Sequence, residues 1–299
     1  WRWCWTRGSG EQMPIFAGCS VSGSPGLSTL TLGLALTWPR PVILVEADPT
    51  GASAVLAGYY RGLRDDDGLV ELMIASRQGQ LAARLPELLV PVEGTQARLL
   101  VGTRAHEQSV GLALLWDDLL AEMRRLADTG QDIIVDAGRL GLDGFASPLL
   151  AGADVTMLAT GSSLRQLAAA ASWARTLQQK TSQGHYLGVV TIGEGRPYRS
   201  AEVAKALGLP ALATVAWDRP AARVLSDGAA FPPASFGARL LRRDADRRKF
   251  EASQFLRSIR ALGEAARSQA SPPDQNRHHR AGVRPWGVPV GPRRGEEPR

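Results

Sequence analysis

Seven short apolar runs recur along the chain, each bounded by turn residues and each followed by a stretch of helix length. They read PIFAGCS (14–20), PVILVEA (41–47), ARLLVG (97–102), DIIVDA (132–137), DVTMLAT (154–160), YLGVVTI (186–192) and ALATVA (211–216). Between them, apolar residues at helical spacing cover 28–37, 51–60, 67–76, 110–128, 163–179, 200–207 and 219–226. A strand that is apolar on both faces must be covered on both, and strand alternating with helix supplies that cover in a parallel sheet. The pattern predicts an α/β fold: one doubly wound, mostly parallel seven-stranded sheet with helices on both faces. A last amphipathic helix sets Phe250, Phe255, Leu256, Ile259 and Leu262 largely on one face and is expected to close the domain.

That domain covers about 13–264. The first twelve residues, WRWCWTRGSGEQ, fit none of its elements and are expected to be an upstream or non-native extension. Residues 265–299 are rich in Pro, Gly and Arg without an apolar period, and a disordered basic tail is expected there. The charge is uneven. Residues 265–299 hold seven arginines against three acids and residues 1–12 two against one, so of the net +6 only about +1 falls on the domain. Contact with DNA is therefore expected of the tail rather than of the fold. No run reaches the roughly 18 to 20 apolar residues of a membrane-spanning helix. Cys4 and Cys19 have neither metal-site spacing nor a disulfide framework, which makes a reducing cytoplasm the default location.

In open parallel sheets, ligands bind beyond the carboxyl ends of the strands. Three of those ends carry suggestive chemistry. After the first strand comes SVSGSPGLST, in which Ser22, Gly23, Ser24, Gly26, Leu27, Ser28 and Thr29 are the candidate phosphate-binding residues. Glycines let successive amides point inward, the following helix offers its positive end, and a Ser or Thr hydroxyl can reach Mg²⁺. After the second strand stand Glu46 and Asp48, at i and i+2 on one side, placed to hold a metal's water shell or, for Asp48, to orient an attacking water. The fourth strand ends in Asp136-Ala137-Gly138-Arg139, an acid followed by a glycine turn. The candidate Mg²⁺ set is Ser28, Glu46, Asp48 and Asp136. Each stretch alone is also ordinary turn chemistry; together, in this order on one sheet, they carry more weight. A Rossmann site would use Glu46 or Asp48, but its G-x-G-x-x-G is not met, since the first glycine would fall on Val21.

These residues resemble the MinD/ParA branch of phosphate-loop ATPases, whose loop reads KGGxGK[ST][ST]. Ser22 stands for its signature lysine, Gly23 and Ser24 for its first two glycines, Gly26 for the third, and Leu27 for the Walker lysine; Ser28-Thr29 keep the hydroxyls. VEADPTG resembles the family's D-x-D-P-x-G, and IIVDAGRLG its second acidic element. The resemblance covers about 13–230. It implies ATP and Mg²⁺ as cofactors, a homodimer, and protein partners of a pilus, secretion or partition system, in the cytoplasm or peripheral to the inner membrane through those partners. Both lysines are gone, so the site is degenerate and its hold on ATP is expected to be weak or lost. Losing a charge-assisted phosphate contact costs about 1.5–3 kcal/mol in binding and more in catalysis. Arg139 is the candidate substitute cation. The atypical loop also resembles the TadZ/CpaE-like proteins that position tight-adherence pilus machinery. The expectation is a dimerising scaffold with little ATP hydrolysis; the alternative is an active partition ATPase that binds DNA.

Overall fold

A computed structural model describes residues 13–22, 26–181, 184–235 and 244–270. The remainder, including most of the expected extension and tail, lies outside the described residues. All seven expected runs are strands of one sheet: β1 (Ile15–Ser20), β2 (Val42–Glu46), β4 (Ala97–Leu100), β5 (Asp132–Arg139), β6 (Val155–Gly161), β7 (Tyr186–Ile192) and β8 (Ala211–Val215). They pair in parallel. An eighth strand, β3 (Leu89–Pro91), was not expected; it joins the edge antiparallel to β4, giving the order β3-β4-β2-β5-β1-β6-β7-β8. Three residues ending in proline leave no alternation to read, and a proline is tolerated only where no ladder partner follows.

The helices are α1 (Leu27–Thr37), α2 (Leu69–Arg77), α3 (Leu81–Leu88), α4 (Trp116–Ala127), α5 (Ser147–Ala151), α6 (Leu164–Lys180), α7 (Ser200–Leu207), α8 (Arg219–Ser226), α9 (Ala245–Glu251) and α10 (Gln254–Ala270). Two expected helices take other forms. The 51–60 stretch contributes a π-helical turn, Val55–Tyr59, and the 110–128 stretch divides into a 3-10 helix, His106–Leu114, and α4. The closing helix α10 runs to Ala270, six residues past the expected domain boundary at 264.

Period two on β1 sorts the layers. Ile15, Ala17 and Cys19 face one core with residues of α2 to α7, and Phe16 faces the other with α1, α8, α9 and α10. β1 therefore sits buried at the centre, with β5 on one side and β6 on the other. The chain moves outward from β1 through β2 and β4, then returns to place β5 against β1 before crossing to β6. That reversal of strand order puts the crevice for a ligand at the carboxyl end of β1.

The opposite, amino end of the sheet is tied by ion pairs. Asp132, fully buried, accepts from Trp38 Nε1 at 2.6 Å and from Arg40 Nε and Nη2 at 2.9 and 3.0 Å. Asp154 accepts from the Ile15 amide and from Arg124 Nη1, both at 2.7 Å.

Candidate functional site

The turn after β1 is only partly described. Gly23 and Ser24 lie outside the described residues, and Ser22 is half-buried. Gly26 precedes α1 with φ of 94°, a left-handed conformation that favours glycine, and its carbonyl takes the first helical bond from the Leu30 amide at 2.9 Å. Leu27 follows as the first helical residue. Its side chain is 5% exposed and packs in the core with Phe16 and Leu30. It lies directly over β1: a Cβ added at Gly18 would stand 2.9 Å from Leu27 Cδ1. The leucine in the lysine position is thus a core residue fitted over a glycine of the strand.

Three acids gather beside it. Asp136, 2% exposed, accepts from the Gly138 amide at 3.0 Å and from the Thr31 hydroxyl at 3.3 Å, and is hydrogen-bonded by Ser28. Burial pushes its carboxyl up to about 7; the Ser28 and Gly138 hydrogen bonds oppose the rise, and the charges of Asp48 and Glu46 add to it. Asp48 accepts from the Thr50 amide at 2.9 Å and the Thr50 hydroxyl at 2.8 Å. Its carboxyl covers Gly138, whose φ is 63°; a Cβ there would fall 2.2 Å from Asp48 Cγ. Glycine at 138 is thus required twice, by backbone and by space.

Glu46 is turned differently. It accepts from the Ser53 hydroxyl, the Val55 amide at 3.0 Å and the Gly102 amide at 3.3 Å, so it ties the end of β2 to both flanking loops. Burial raises its pKa against those three bonds. Ser28, Glu46, Asp48 and Asp136 nevertheless line one cavity of about 40 Å³, together with Thr50, Ser53, Gly102 and Thr103. That is room for about one water or one ion. The Thr103 hydroxyl, buried at its edge, has no hydrogen-bond partner among the described residues.

The oxygen donors suit Mg²⁺ in kind. Among the described residues, however, no three His, Cys, Asp or Glu side chains are grouped so as to hold a metal ion. Arg139, at the end of β5, is exposed and does not line the cavity, and no cationic side chain lines it among the described residues. Sequence reasoning missed Thr31 and Thr103. Thr31 falls within the apolar run of α1, whereas Thr103 follows a strand end and stood where a search of strand ends could have found it. Cys19, wholly buried on β1 with its thiol pushed up to about 12, stays protonated.

A second cavity of about 350 Å³ begins on the other side of α1's first turn. It is lined by Gly26 and Thr29, by Ile192, Trp217 and Asp218 at and beyond the ends of β7 and β8, and by Phe255 of α10. A further cavity, about 900 Å³, lies at the far end of α1 beside Leu36 and Phe250, away from Glu46, Asp48 and Asp136.

A parallel sheet with a glycine turn into α1 at its switch point, and acids at the two neighbouring strand ends, defines the phosphate-loop NTPase class of α/β fold. Within it, the fold is that of MinD and ParA ATPases. The cell division ATPase MinD of Pyrococcus furiosus superposes with a TM-score of 0.63 at 18% identity, over 85% of this chain and 98% of that one. MinD of Pyrococcus horikoshii OT3 complexed with Mg-ADP gives 0.63 at 17%, over 84% and 95%. A ParA family ATPase from Chlorobium tepidum gives 0.61 at 16%, over 85% and 97%. No protein-family model and no curated protein matches the sequence.

Proposed function

We propose that this chain is a degenerate member of the MinD/ParA type, working as a dimerising positioning or scaffold factor in pilus or secretion-machinery assembly, with ATP hydrolysis weak or absent. The observation that carries this is the cavity of Glu46, Asp48 and Asp136, which no cationic side chain lines among the described residues, with Leu27 packed into the core beside it. Charge developing on a transferred phosphoryl group needs a preorganised cation, and three carboxylates without one oppose it. Ser28, Thr29 and the amino end of α1 remain to hold a nucleotide weakly, with Mg²⁺ reached through Ser28, Asp48 and Asp136. That a protein of the same fold, MinD of Pyrococcus horikoshii, is complexed with Mg-ADP supports a nucleotide and Mg²⁺ as the ligands.

The test is phosphate release from ATP by the purified chain with Mg²⁺. Turnover at the level of buffer is expected. Robust turnover abolished by Arg139→Ala would replace this reading with the active ATPase.

A further inference from the structure

The cavity of about 900 Å³ at the far end of α1 has the size of a ligand pocket and a lining unlike that of the carboxylate site. Leu36, Leu225 and Leu256 line it, with three aromatic rings, Tyr59, Phe231 and Phe250. Phe231 stacks on Phe250 at 5.4 Å between centroids and is 41% exposed. Burial raises the pKa of the Tyr59 hydroxyl, which therefore stays a donor. Most of the charged groups around the cavity are already engaged. Arg61 Nε donates to the Gly228 carbonyl at 2.6 Å, Arg247 pairs with Glu251 at 2.9 Å, and Arg260 donates to the Glu251 carbonyl at 2.9 Å. Asp246 accepts from the Ala234 amide at 2.6 Å. Glu93 differs: it lines the cavity, is exposed, and makes no hydrogen bond or salt bridge among the described residues.

Aromatic rings beside an unmatched carboxylate suit a proline-rich segment that carries an arginine. Prolines hold such a segment in an extended left-handed helix whose carbonyls have no internal partner, and aromatic grooves receive it. This chain contains one outside the described residues: Pro289-Val290-Gly291-Pro292 is followed by Arg293 and preceded by Trp286. Residues 236–243, also outside the described residues, contain no proline. The tether is α10. Its Leu256 and Arg260 line the cavity, and the helix ends at Ala270, ten residues or about 15 Å further on. Residues 271–288 can extend to about 60 Å, more than the return requires. We propose that this cavity is a docking site for the chain's own 286–294 segment, with the prolines against Tyr59, Phe231 and Phe250 and Arg293 at Glu93. Docking here needs no nucleotide and leaves the scaffold reading untouched whichever way it falls.

The experiment is fluorescence anisotropy of a fluorescein-labelled peptide of residues 283–296, titrated with two full-length proteins, the parent and the variant Pro289→Ala/Pro292→Ala/Arg293→Glu. The variant is expected to bind the peptide. The parent is expected to bind it at least about tenfold more weakly, because a tethered segment competes at an effective concentration near millimolar. Added to that variant, Phe231→Ala and Glu93→Lys are each expected to weaken the peptide about tenfold, with the urea midpoint of unfolding unchanged. They lie on separate segments, so one still decides if the other loosens the fold. If parent and variant bind equally well, the cavity stands open to a proline-rich segment of another protein and the proposal fails. If neither binds, the cavity takes no such peptide and the proposal fails. If both cavity substitutions leave the affinity unchanged, the peptide sits elsewhere and this site is overturned.

Discussion

Asp132 and Asp136 lie on the same strand, four residues apart, both buried, and the molecule treats them oppositely. Asp132 opens β5 and meets a guanidinium and an indole N–H, so its charge is matched where it stands. Asp136 meets only hydroxyls and one amide at the carboxyl end, with two further acids nearby. A buried carboxylate with its cation is a structural tie, while one without a cation is held at a cost by the surrounding fold. The amino end of this sheet matches its buried acid with a cation, and the carboxyl end gathers three acids in a cavity that no cationic side chain lines among the described residues.

Four measurements sharpen or break that contrast. The largest effect is expected from Asp132→Ala, which leaves Arg40 and Trp38 without their acceptor; urea unfolding should show a loss of about 3–4 kcal/mol. A loss below about 1 kcal/mol would mean the tie is not structural. Asp136→Asn should act in the opposite direction. The folded-state pKa of Asp136, about 7, stands above its unfolded value, so the folded state holds the proton longer and stability falls as pH rises from about 4 to 7. At pH 8 the variant should be more stable than the parent by on the order of 1–3 kcal/mol, with the gain vanishing near pH 4. A pH-independent difference would remove Asp136 from the list of unmatched charges.

Leu27→Lys returns a cation to the carboxylate end. Calorimetric titration should show ATP and ADP binding about tenfold tighter, in line with about 1.4 kcal/mol for a regained charged contact. Unchanged affinity would mean the turn does not present its amides to phosphate. The smallest effect is expected from Arg139→Ala, an exposed residue outside the cavity; its unfolding free energy should stay within about 0.5 kcal/mol of the parent. A larger loss would reveal a tie to the acids.

Much of this was legible beforehand because near-continuous apolar strands have few alternatives. All seven runs are strands, and the acids at 46, 48 and 136 do share a cavity with Ser28. What escaped was short or locally contradictory. β3 is three residues ending in Pro91, and α3 carries Pro86 within its eight residues. β3 is too short to show a period, and in α3 the helical spacing of Leu81, Leu85 and Leu88 is contradicted by the proline among them; β4 covers β3, and α2 and α4 pack against α3. Glu46 shows the same limit at the site. Its i, i+2 relation to Asp48 suggested a shared direction, yet the longer side chain turns to Ser53, Val55 and Gly102.

By itself, the order of residues determined the parallel sheet and the gathering of Glu46, Asp48 and Asp136 at the strand ends. Those follow from apolar periodicity and residue identity, which need no knowledge of distant neighbours. Only the tertiary structure decided that Leu27 is buried over Gly18 and that Asp48 closes on Gly138. The first folds a helix back over the strand before it and the second joins two strands far apart in the chain, and only folding brings those groups within reach of one another.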